Sequence, residues 1–224
     1  MDPDREKAIL QEAGALYSRE ALLLFRDLLT FVGQRFRAAG EAADRVADAP
    51  AERDEGAAVR LELHTMLSEC WEALDGVGRL VNVCLHPRFP GSGLFPPDEI
   101  TRQCTFYTVR RDLHRHPKAS RHPLAELMWE QTRHSPHPAY ERLSFLYNIS
   151  RFLPVPLVGE RELPGWEDLP ERVRSLLRPQ EVERRPLPAA LEEIMRWEEA
   201  FLEACCDGIT TEMQAQSSSR QKGD

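Results

Sequence analysis

Residues 57–85 read AAVRLELHTMLSECWEALDGVGRLVNVCL, and this stretch decides the fold class. Leu63, Met66, Leu67, Cys70, Trp71, Leu74, Val77, Leu80, Val81 and Cys84 recur at steps of three and four. That is the period of an α-helix with one broad apolar face, which other helices must cover. Gly76 and Gly78 weaken the helix locally and leave room for a close neighbour.

Working outward, the same period marks more helices. Ile9, Leu16, Leu23, Leu24, Leu28, Phe31, Val32 and Phe36 predict one from about Asp4 to Ala38. Residues 40–56 are polar, contain Pro50, and read as a connection that can extend either flanking helix. Downstream, Pro87, Pro90, Gly91, Gly93, Pro96 and Pro97 make residues 86–97 a loop. Asp98 is a candidate cap for a third helix holding Thr101 to His114, which Pro117 ends. Pro123 suits the first turn of a short helix through Arg133, and Tyr140 to Phe152 predicts another. Residues 153–188 are proline-punctuated, with a short helix expected at 171–177. VPLVG at 155–159 is the best strand candidate, demoted by its prolines. Leu191, Ile194, Met195, Trp197, Phe201, Leu202 and Cys205 predict a last helix from Pro188 to Cys206, with Gly208 placed to end it. The expectation is an all-α helical bundle of five to seven helices, with a Pro-rich segment before the last long helix. It fills one domain, residues 1–210, followed by a disordered tail at 211–224.

Composition agrees with a globular chain. Of 224 residues, 42% are hydrophobic and 29% charged, both ordinary values. No stretch approaches the roughly 18 uncharged apolar residues of a membrane span; Ala21 to Phe25 is ended by Arg26 and Asp27. The start, MDPDREKA, lacks a signal peptide's basic and apolar regions, so a cytoplasmic location and no membrane partner are expected. The five cysteines form no CxxC pair and read as buried free thiols.

Charge is segregated. From Thr101 to Arg151 there are nine Arg and Lys against four acids, and five of the seven histidines. This window is near +5 in a chain of formal charge −8, leaving −13 elsewhere. A local basic face for an anionic partner follows, with Arg110, Arg115, Lys118 and Arg121 as candidate contacts. Within it lies Arg111-Asp112-Leu113-His114-Arg115-His116. Five positions are about 500° of helical turn, so Arg111 and His116 converge only if the helix ends near His114. An arginine there can hold a phosphate through paired hydrogen bonds, and a histidine can move a ribose-hydroxyl proton without metal.

This hexapeptide, with the all-helical outline, resembles the motif of the HEPN superfamily. Its helical proteins of prokaryotic defence and toxin–antitoxin systems include metal-independent ribonucleases acting as dimers. The resemblance implies RNA as partner, a homodimer, Arg111 on phosphate, His116 as acid/base and Asp112 orienting them; it implies no cofactor or metal. A second register is open. Leu146-Tyr147-Asn148-Ile149-Ser150-Arg151-Phe152 also looks like the family's segment, with Tyr147 and Phe152 where the Arg and His would stand. In that register the site is dead.

Other readings compete with this one. Arg110, Arg111, Arg115 and His116 also complement a helix C-terminus with no further role. His114, His116, His122, His134 and His137, with Glu126 and Glu130, supply ligand types for a metal-binding bundle, although His-x-His on a helix points two rings about 200° apart. Phe106, Tyr107, Trp129, Tyr140, Phe145 and Tyr147 can stack on bases or pack a core. A non-enzymatic helical module would instead meet a protein partner through the acidic helices and residues 153–188. No Gly-rich phosphate loop, Ser-x-x-Lys or G-x-S-x-G occurs, so nucleotide hydrolysis and acyl transfer lack support.

Overall fold

The structure, a computed structural model, describes residues 3–49, 56–100, 103–158, 162–177 and 181–221. The protein is all-α, 76% helical. The helices are α1 (Pro3–Leu16), α2 (Arg19–Asp48), α3 (Gly56–Leu85), α4 (Phe106–Arg115), α5 (Pro123–Trp129), α6 (Pro138–Ser150), the single turn α7 (Glu171–Arg174) and α8 (Leu187–Gln221). Two-residue strands β1 (Glu162–Leu163) and β2 (Arg185–Pro186) pair antiparallel, Glu162 opposite Pro186. Among the described residues no helix is long and apolar enough to cross a membrane.

Contacts divide the chain into two compact units. The first holds residues 1–34, 72–135 and 199–224; the second holds 35–71 and 136–198. The first unit's core includes Phe25, Leu29, Leu74, Leu80, Phe106, Leu113, Met128, Cys205 and Ile209, all buried. Gly76 and Gly78 of α3 are close-approach positions, as expected. A Cβ on Gly76 would lie 2.6 Å from Val32, and one on Gly78 would lie 2.7 Å from the Phe106 backbone. Asn82 fastens the loop after α3 by donating to the Phe95 carbonyl (2.7 Å) and accepting its amide (2.9 Å).

The second unit packs Leu63, Met66, Leu67, Leu143, Phe145, Leu146, Ile194 and Trp197. Trp71 stacks on Tyr147 with centroids 4.6 Å apart. Arg35 and Glu69 pair at 3.0 Å. The buried Arg142 donates to the Glu183 carbonyl (3.0 Å), fixing the proline-rich segment. Gly165 admits that segment closely, because a Cβ there would meet the Val182 carbonyl at 2.8 Å.

Several boundaries differ from expectation. The predicted helix at 4–38 is two helices, because Ser18 accepts the Ala21 amide (3.3 Å) and starts α2 afresh. α2 then passes Gly40 to Asp48, since Ala39, Ala42 and Val46 continue its buried stripe. Asp98 sits in an isolated 3₁₀ turn, Pro97–Glu99, and α4 starts at Phe106; Thr101 lies outside the described residues. In the strand candidate only Val158 pairs, as an isolated bridge to Glu162; Gly159 lies outside the described residues. α8 runs on to Gln221, so residues 211–221 are helical where a disordered tail was expected. Gly208 does not end α8. Its missing side chain admits Leu124, whose Cδ2 would lie 2.5 Å from a Cβ there, and Ile209 and Met213 carry the buried stripe onward.

Candidate nucleic-acid interface

The site is built on α4 and the turn that follows, in the first unit. α4 begins at Phe106 because Thr105 and Thr108 form a reciprocal capping box, each side chain accepting the other's amide (3.2 and 2.9 Å). Asp75 takes the Phe106 amide at 2.8 Å. Burial pushes that carboxyl up, while the amide and Arg79 pull it back. Phe106, Val109, Arg110 and Leu113 form the buried stripe of α4; Tyr107, His114 and Arg115 are exposed on the other side.

Arg110 therefore lies in the core and not on the exposed basic side of α4. It is 6% exposed, donates to the Thr132 hydroxyl (2.7 Å) and carbonyl (3.2 Å), and lies over the Phe106 and Tyr107 rings. Thr132 belongs to a π-turn, Glu130–His134, that continues α5. The period itself carried this signal, since position 110 is one turn beyond Phe106.

Arg111 and Asp112 are joined by two hydrogen bonds, at 2.7 and 3.1 Å. The Asp112 carboxylate rests against Gly93, which is held at φ +87° in the preceding loop. His116 closes α4 beside Pro117, so the helix ends where the motif requires. Its ring turns elsewhere, however. Nδ1 accepts the Ala119 amide at 3.1 Å, and the ring tilts against Phe89 at 5.9 Å. Among the described residues no hydrogen bond joins His116 to Arg111 or Asp112. With Nδ1 an acceptor, Nε2 carries the ring proton and is a donor.

Arg115, Lys118 and Arg121 follow along the same stretch, each exposed and without a hydrogen bond or ion pair among the described residues. His114 stacks flat on Trp129 with centroids 3.4 Å apart. In the alternative register Tyr147 lies on Trp71, and Phe152 is exposed beyond the end of α6.

Two of the histidines are helix N-caps. His122 and His137 each precede proline, and each Nδ1 accepts the amide two residues on, at 3.2 Å. This is an N-cap bond with proline at the first helical position. Among the described residues no three His, Cys, Asp or Glu side chains gather as a metal ion needs, so the metal-binding bundle finds no site there. The described cysteines are all buried and free.

Sequence reasoning missed a buried network beside this face. Glu212 accepts from Arg88, from His122 Nε2 (2.9 Å) and from Gln216 (2.8 Å). Burial pushes its carboxyl up, but these three donors outweigh it and hold it at about 2. The signal was the continued spacing Cys205, Ile209, Met213, which keeps the helix going past Gly208. Burial pushes the thiol of Cys84, near Glu212, upward, against a smaller opposing pull from Tyr17. The Glu212 network is a clamp on α8 rather than a nucleophilic site.

Comparison with family models, curated proteins and solved structures finds no match for this chain.

Proposed function

We propose that the first unit binds RNA through the exposed basic stretch from Arg115 to Arg121, and that Arg111, Asp112 and His116 form a HEPN-like motif beside it. One observation carries the reading. Among the described residues Arg115, Lys118 and Arg121 stand exposed, within seven positions of one another and without an ion pair, in a chain of net charge −8. Phosphates are the acceptors that arginine and lysine best serve, and Tyr107 and the His114–Trp129 stack add ring faces for unstacked bases. The Arg111–Asp112 pair keeps a guanidinium fixed at the edge of this face, and His116 offers its Nε2 proton to a leaving ribose oxygen.

The test is fluorescence anisotropy of a labelled single-stranded RNA, in EDTA, with products followed on a gel. Wild-type protein is expected to bind, and the Arg115→Glu, Lys118→Glu, Arg121→Glu triple variant to lose at least tenfold in affinity. Cleavage lost in both Arg111→Ala and His116→Ala would establish the ribonuclease; binding without products would leave a non-catalytic RNA binder. Equal affinity for the triple variant would overturn the reading and turn the search to protein partners.

A further inference from the structure

Among the described residues five large apolar side chains are exposed. Two of them, Leu61 (65%) and Phe152 (52%), line one pocket in the second unit. The pocket measures about 500 Å³ and lies between the first turns of α3 and the chain leaving α6. Leu153 extends its apolar lining. The Ile149 carbonyl accepts the Phe152 and Leu153 amides at 2.9 and 3.1 Å, which turns the chain at this edge. Three basic side chains share the lining: Arg60 and His64, one helical turn apart on α3, and Arg151 at the end of α6. All three side chains are exposed and have no hydrogen bond or ion pair among the described residues. Among the described residues no acidic side chain lines the pocket.

We propose that this pocket binds a small amphiphilic anion: an acyl chain ending in a carboxylate or a phosphate. The apolar lining buries the chain, and Arg60, Arg151 and His64 receive the head group. The volume lies within the range of small-ligand sites. Its place in the recess between α3 and the end of α6 suits one inserted chain, and the single sign of the charges among its described residues disfavours a cationic head. This inference is independent of the RNA reading, because none of its residues belongs to the face from Arg115 to Arg121.

The test is calorimetric titration of the full chain with decanoate and decyl phosphate below their micellar concentrations. Decanol and decyltrimethylammonium are the controls, and phosphatidylglycerol vesicles form a separate arm. Decanoate and decyl phosphate should bind at one site, decanol at least tenfold more weakly, and the cation not at all. Shortening the chain should weaken binding by up to about fourfold per methylene. An Arg60→Glu, Arg151→Glu double variant and a Phe152→Ser variant should each lose at least tenfold while keeping the wild-type circular dichroism. Both change exposed side chains, so their folding should stand. Equal binding of the cation, indifference to both variants, absence of saturable binding, or capture on vesicles alone would overturn the proposal.

Discussion

Glu198 is the side chain least accounted for by ordinary packing. It is fully buried on α8, and neither carboxyl oxygen has a hydrogen bond of ordinary geometry among the described residues. Burial pushes it up to about 8, and the nearby Cys70 thiol offsets this only slightly. A carboxyl raised in the folded state holds its proton more tightly there than in the unfolded chain. Its contribution to stability is therefore complete below about pH 4.5 and is lost as pH rises through about 8. Urea unfolding from pH 5 to pH 9 should show wild-type stability falling relative to Glu198→Gln, by an amount on the order of a few kcal/mol. Parallel curves would mean that Glu198 is ionised or paired in the folded protein. Arg110 offers a second case at this scale. Arg110→Ala strands the buried Thr132 groups and should cost about 2 kcal/mol of stability, while RNA affinity, measured at a temperature where the variant is folded, stays unchanged. Burial made this residue structural, and charge counting had taken it for a contact. The histidines misled for a similar reason: a neutral imidazole before proline is a capping acceptor, and composition cannot tell a cap from a ligand.

Helices are where the sequence was most legible. The three-four period located the core of α3 and the close approaches at Gly76 and Gly78, because wide apolar stripes have one spacing whatever packs on them. Ends were less legible. They depend on single capping bonds, such as Ser18 to Ala21 and the Thr105–Thr108 box, which many similar pairs in the chain do not form. Glycine was ambiguous for a related reason: it reads as a stop, but inside a packed helix its meaning depends on the neighbour. Three substitutions separate these meanings. Gly40→Ala meets only the Met195 methyl at 3.8 Å, so helix propensity should raise stability by about 1 kcal/mol. Gly78→Ala forces a Cβ to 2.7 Å from Phe106 backbone, which cannot yield, and should cost about 2 kcal/mol. Gly208→Ala strikes the flexible Leu124 side chain at 2.5 Å, and should fall between the other two. Thermal melts of the three variants give the order, and a destabilised Gly40→Ala would break the argument.

At the scale of the whole molecule, a net charge of −8 opposes a polyanion, so the proposed RNA binding requires local, short-ranged contacts. The Debye length is about 8 Å at physiological salt; distant carboxylates are then screened while direct phosphate contacts persist. The basic window was visible in the sequence as a charge count. Its division into buried Arg110, paired Arg111 and free Arg115, Lys118 and Arg121 was not, because that division follows from which side of α4 faces the core. If three cations make the contact, the logarithm of affinity should fall with the logarithm of salt at a slope of about −2 for single-stranded RNA. The Arg115→Ala single variant should lower that slope by about 0.7, alike for every RNA sequence, because phosphate contacts carry no base information. A slope several times steeper would place most of the contact on other residues. A slope near zero would mean that the RNA is held by its bases, with Tyr107 and Trp129 the first side chains to replace.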